Sequence, residues 1–152
     1  MNKVINENER SEIRSLLYHN NEDEIKRKIK KITDQKLLYI YAYNYNWDNG
    51  FEIPQMIIDN KVCSLSTALL LFYRADGYVY LQEKNMETNL SQWAEFIKKL
   101  YCLILMSKFE KSEIQFKVPL SKVQIFKLKK ELTPDEMVFV NNIEGIDLDI
   151  DL

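Results

Sequence analysis

Chemistry needs reactive side chains in usable combinations, and this chain offers few. His19 is its only histidine. A serine triad or a histidine-based metal cage would have to be built on it, yet it closes the first helical stretch, Glu9 to His19, where an imidazole meets terminal carbonyls. Cys63 and Cys102 stand alone, without a CxxC pair, which argues against a zinc site and against a disulfide framework. Cys63 borders a helix cap, a place that can lower a thiol pKa, but no base is near it in sequence, so both thiols read as small packing residues. The carboxylates Asp48, Glu52, Asp59, Asp76 and Glu83 could form an acid/base pair or hold a divalent ion. Most of them stand at turns, where acids serve as caps, and their spacing matches no metal loop. The three glycines lie in separate turns, so neither GxGxxG nor GxxxxGK[ST] is present to cradle a phosphate. No cofactor and no metal is called for, and the expectation is a protein that is not an enzyme. A small-molecule or metal-dependent enzyme using the turn carboxylates stands as one alternative.

The elements that must position these residues fit one domain. The chain has 152 residues, 46% of them apolar and 29% charged, with three Gly and three Pro. That is enough to bury one core and leaves no disordered linker. We therefore expect a single domain over 1–152, helical over 1–110 with a mixed part, 111–152, packed on it. No secretory signal opens the chain, which points to the cytoplasm. The longest apolar runs, Leu37 to Tyr43 and Leu100 to Met106, are seven residues each, short of the roughly 20 that cross a bilayer.

Helix punctuation is clear over the first two thirds. Ile13, Leu16 and Leu17 give Glu9 to His19 one apolar face. Asn21 with Glu24 reads as a capped start for a second helix, striped by Ile25, Ile29 and Ile32 and ending in Lys28, Lys30 and Lys31. Tyr39, Tyr41, Tyr43 and Tyr45 alternate as on a strand, but thirteen residues from the Asp34 cap to Asn46, apolar all round, suit a helix in the middle of a stack. Gly50 ends the following turn with a positive φ, and Pro54 suits a first helical turn. Ser64 caps a helix that Asp76-Gly77 stops in the manner of a glycine C-cap. Asn89 with Gln92 opens the longest helix, to about Phe109. The fold class expected is mainly α, a small helical-hairpin stack or bundle with a short β element near the C-terminus. Ile114 to Val118, Val138 to Val140 and Ile146 to Leu152 carry the β-like alternation. The Ser121 to Glu131 helix has apolar residues on two opposite sides, Val123 and Phe126 among them, and must be substantially buried or misassigned.

Charge is uneven. From Lys98 to Lys130 nine lysines face only Glu110 and Glu113, a net +7, whereas Glu131 to Leu152 carries seven acids and no base. Either the acidic tail folds back near the basic stretch, or one of them is a partner-binding patch. The lysines, interleaved with Tyr101, Phe109, Phe116 and Phe126, make a nucleic-acid-binding module a further alternative, disfavoured by the lack of arginine there and a pI of 5.6.

Tyr45-Asn46-Trp47-Asp48-Asn49-Gly50-Phe51-Glu52-Ile53-Pro54, followed by Ser66-Thr67-Ala68-Leu69 and Ala75-Asp76-Gly77-Tyr78 with Leu81, resembles the bacterial domain-of-unknown-function family 4274 over about residues 35–82. The resemblance carries no activity. It implies binding, because small cytosolic members are similar to immunity proteins encoded beside bacterial toxins. Trp47 has two readings, a plug between helices with Asp48 capping the next turn, or an exposed aromatic anchor. In the second, Tyr43, Tyr45, Trp47, Asp48, Arg74, Tyr78 and Tyr80 would form a partner-binding patch, and Asp147, Asp149 and Asp151, on one face of a strand, would meet a basic toxin surface. The expected partner is a toxin-like protein.

Overall fold

The computed structural model describes residues 5–84 and 91–152. The chain is helical almost throughout: α1 (Glu7–Leu17), α2 (Glu22–Lys31), α3 (Gln35–Asn44), α4 (Glu52–Asp59), α5 (Leu65–Arg74), α6 (Gly77–Gln82), α7 (Ser91–Leu105) and α8 (Lys122–Lys129), with 3₁₀ turns at Trp47–Asn49 and Pro134–Val140. Polar caps set most starts, the Asn6, Asn21, Asp34, Ser64 and Ser121 side chains each accepting a first-turn N–H. Thr133 and Glu136 form the capping box of the last turn. Asn89, read as the cap of the long helix, lies outside the described residues.

α3 and α5 are the middle of the stack. α3 packs on α1, α4 and α5, and α5 on α6 and α7. Leu38, Ile40 and Ala42 of α3 and Ala68, Leu69, Leu71 and Phe72 of α5 are all at 0% exposure, so both helices are apolar all round because they are surrounded. The tyrosine alternation of α3 is helical: Tyr39 and Tyr43, and likewise Tyr41 and Tyr45, are ring neighbours at 6.4 and 6.3 Å, the i, i+4 pairing of a helix face. No described helix is long and apolar enough to cross a membrane.

Three expectations are corrected. The C-terminal β element is absent among the described residues, where only isolated bridges link Ile114 to Ile146 and Phe116 to Ile143. The β-like alternation over Ile146–Leu152 finds no strand partner, because the tail is held on α1. Second, Gly77 does not end α5. Asp76 takes the left-handed turn (φ 61°), and Gly77 opens α6 against the Phe72 ring, where a Cβ would come within 2.3 Å of two ring carbons. Gly50, with φ 93°, does supply the expected turn. Third, residues 122–129 are a helix, yet not a substantially buried one: Leu128 is covered, while Val123 and Phe126 are 61% and 62% exposed.

Candidate functional site

Four of the predicted partner-binding residues meet in one groove of about 570 Å³: Tyr43, Arg74, Tyr78 and Asp147. α3 supplies its floor through Tyr39 and Tyr43, which share a face because they are one helical turn apart. Arg74 is the last residue of α5 and is exposed. Its guanidinium lies 4.3 Å from the centre of the Tyr43 ring, and its Nη1 donates to the Tyr43 carbonyl at 3.2 Å. That carbonyl belongs to the last turn of α3, which has no intrahelical donor to offer it. A cation over a ring face and a charged donor on a helix-end carbonyl both hold the guanidinium in place. The left-handed Asp76 then turns the chain so that Tyr78 and Val79 border the same groove.

The opposite wall comes from far along the chain. Gln115, Phe116, Lys117, Pro119, Leu120 and Gln124 line it. This segment is anchored: Ser66 Oγ, fully buried, donates to the Ile114 carbonyl at 2.7 Å, Val118 N donates to Asn142 Oδ1 at 2.8 Å, and Phe116 stacks on Tyr73 at 6.2 Å. Tyr73 donates its hydroxyl to the Phe139 carbonyl.

Electrostatically the groove is mixed, with Arg74 and Lys117 against Asp76 and Asp147. Burial pushes the Tyr39 phenol up to about 12, with Tyr43 and Asp147 adding and Arg74 opposing. Tyr39 therefore stays a neutral phenol at physiological pH. The arrangement presents aromatic faces, a guanidinium whose other N–H groups bond to nothing among the described residues, and a carboxylate, which is recognition chemistry. The buried Cys63 thiol is pushed up to about 12 by burial, so it is a packing group rather than a nucleophile. Among the described residues no three His, Cys, Asp or Glu side chains gather as a metal cage would require.

The other predicted residues go elsewhere. Tyr45 is buried and donates its hydroxyl to the Gly50 carbonyl at 2.8 Å. Trp47 is half-buried, edge-on to Tyr45, Phe51 and Phe96. It is a plug between helices, with an indole N–H that is buried and finds no partner among the described residues. Asp48 is exposed and caps nothing among the described residues; Asn46 Oδ1 accepts the Asp48 N–H and caps the 3₁₀ turn instead. Tyr80 is 9% exposed, its ring against Tyr101. Asp149 faces Arg10 of α1 at 3.7 Å, and the Asp151 carbonyl accepts from the same arginine. The last residues of the acidic segment thus fold back onto α1, while its residues 142–146 pair with residues 113–118 of the lysine-rich stretch. Sequence reasoning missed Tyr39 and Tyr73. The first was legible, being one turn before Tyr43; the second depends on where residues 115–120 cross α5.

A comparison with known families covers part of this groove. The model for Domain of unknown function (DUF4274) matches residues 33–105, further along the chain than the motifs alone reach, through the end of α7. The match includes Tyr39, Tyr43, Arg74 and Tyr78, while the wall from Gln115 to Gln124 and Asp147 lie beyond it. No curated protein and no solved structure matches the chain. Over residues 33–105, from the residue before the Asp34 cap to the last residue of α7, the chain thus matches the domain of unknown function DUF4274.

Proposed function

We propose that this chain is a non-enzymatic protein-binding domain of the bacterial cytoplasm, an immunity protein that neutralises a cognate toxin by covering its active face. The observation that carries this reading is the Arg74–Tyr43 pair at the mouth of the groove: an exposed guanidinium already oriented by a ring face and a carbonyl. Arg and Tyr dominate the energetic centres of protein interfaces, and a side chain fixed before binding loses less entropy on contact. Tyr78 and Asp147 extend the same surface. Asp149 and Asp151, engaged on α1, are not part of it.

The test is co-expression with the product of each adjacent gene, followed by calorimetric titration of the purified pair. A stable complex that suppresses toxicity, and that weakens about tenfold or more with Arg74→Ala, is the expected result. Arg74 is exposed at a helix end, so the variant folds. Neighbours that neither bind nor are neutralised overturn the reading.

A further inference from the structure

A second cavity, of about 340 Å³, lies between the α1–α2 connection and the turn after α3. It is far from the groove in composition. Its floor is Leu17, Ile25 and Ile53, and its walls carry side-chain amides from Asn20, Asn44, Asn46 and Asn49. Several of these groups are already oriented. Asn44 Nδ2 donates to the Ile40 and Ile150 carbonyls at 3.0 Å each, which leaves its Oδ1 as the outward acceptor. Asn46 spends its Oδ1 on the Asp48 N–H at 3.0 Å, which leaves its NH₂ as a donor. His19 Nδ1 accepts the Asn21 N–H at 3.0 Å, so the proton of the neutral ring sits on Nε2. Tyr41, only 2% exposed, borders the cavity, and no hydrogen bond holds its hydroxyl among the described residues. At the rim stands Tyr18, 79% exposed, the most exposed large apolar side chain described. The cavity opens past Tyr18 into a shallower dish of about 780 Å³ bordered by Ser15, Asn21 and Asp23.

The lining selects among ligand classes. Glu22 and Asp23 at the opening repel an anion. One carboxylate beside neutral amides falls short of the oxygen cage that a divalent cation takes. An apolar ligand would strand the amides and the Tyr41 hydroxyl without partners. What fits is a neutral molecule dense in groups that both donate and accept. An amide presents a donor and an acceptor side by side, the match for two neighbouring hydroxyls, and the face of an exposed aromatic ring is apolar, the match for the C–H face of a sugar ring. At about 30 Å³ per water, the cavity has the room of roughly ten waters, enough for one hexose with a few waters left in place.

We propose that this cavity is a carbohydrate site that takes one neutral pyranose, with Tyr18 as its stacking platform and Asn20, Asn44 and Asn49 as its hydroxyl partners, the dish accommodating further sugar units. The site is separate from the Arg74 groove and does not depend on the protein-binding reading. The test is an amide-resolved NMR titration of the full chain with D-glucose, D-galactose, D-mannose and N-acetyl-D-glucosamine. Saturable millimolar binding of at least one sugar is expected, with shifts confined to residues 17–25 and 41–53. The exposed-residue variants Tyr18→Ala and Asn20→Ala, which keep the wild-type melting temperature, should each weaken it about fivefold or more. No saturable shift with any of the four sugars overturns the proposal. So do shifts that map to another surface, or binding that survives at wild-type affinity when both variants are combined.

Discussion

Lys84 Nζ lies 2.6 Å from a Glu136 carboxylate oxygen, and that carboxylate is buried. Thr133 N donates to its other oxygen at 2.9 Å as the capping box closes, and the Tyr101 hydroxyl donates to the oxygen that Lys84 meets. Burial pushes the Glu136 carboxyl up, but the bonds from Lys84, Thr133 and Tyr101 together outweigh it and hold the group at about 2, against an ordinary 4.5. Its folded pKa is therefore below its unfolded one, so the stabilisation is complete above about pH 4.5 and is lost as pH falls toward 2. At about 1.4 kcal/mol per pKa unit the contribution is roughly 3 kcal/mol. Melting temperatures of wild type and Glu136→Gln, measured from about pH 7 down to about pH 3, should converge as acid removes the wild-type advantage. Parallel curves would mean that another carboxylate drives the acid response.

Gly77 and Asp76 should respond to substitution with different magnitudes. An Ala Cβ at position 77 would meet two Phe72 ring carbons at 2.3 Å and the Phe72 carbonyl at 2.6 Å. The carbonyl is backbone and cannot rotate aside. Gly77→Ala should cost about 2–3 kcal/mol, in the range of overpacked cores, read as a lower urea midpoint at unchanged slope. Asp76→Gly relieves a positive φ at the expense of a more flexible unfolded chain, and should stay within about 1 kcal/mol of wild type. An equal loss in both would show that the turn, and not the Phe72 contact, sets the requirement.

The Ser66–Ile114 bond ties the family-matched helices to the wall of the groove beyond them. Ser66→Ala removes the only side-chain donor described for the Ile114 carbonyl, and a buried acceptor left unpaired costs about 1–3 kcal/mol. Hydrogen exchange should quicken at Gln115 and Phe116 more than at the centre of α5. Uniform acceleration would show that the bond serves only global stability.

Local rules made the helices legible. Caps at Asn21, Asp34, Ser64 and Thr133 satisfy backbone N–H groups from a few residues away, and such information is written in adjacent residues. α3 resolved its strand-like tyrosines through length and its Asp cap, both readable. The Asp147, Asp149 and Asp151 alternation misled because a strand exists only with a partner along its length, and the partner here is a pair of helix arginines about 140 positions away. α8 misled in another way: apolar residues on two sides left only burial or a wrong assignment as readings, whereas the helix forms with Ile125 and Leu128 toward the protein and Val123 and Phe126 outside. The groove was half legible. Tyr43, Arg74 and Tyr78 were named, but their meeting depends on the Tyr43 carbonyl at the end of α3, and the opposite wall on residues 115–124, a tertiary juxtaposition that no spacing encodes.

What holds the acidic tail can be separated into two causes. Arg10 faces Asp149 and donates to the Asp151 carbonyl, Arg14 Nη1 donates to Leu152 O at 2.7 Å, and Asn44 Nδ2 reaches the Ile150 carbonyl. Leu148, 6% exposed, is buried in the core beside them. Partly exposed ion pairs contribute little and are screened by salt, whereas burial of a leucine is worth about 2 kcal/mol and is not. Replacing Arg10 and Arg14 together by Ala should therefore free the amides of Asp149 to Leu152 to exchange, while global stability falls by about 1 kcal/mol or less. Leu148→Ala should instead cost about 2–4 kcal/mol overall. If the double arginine variant leaves tail exchange unchanged, Leu148 alone fixes the segment, and the placement of Asp147 at the groove follows from packing and not from charge.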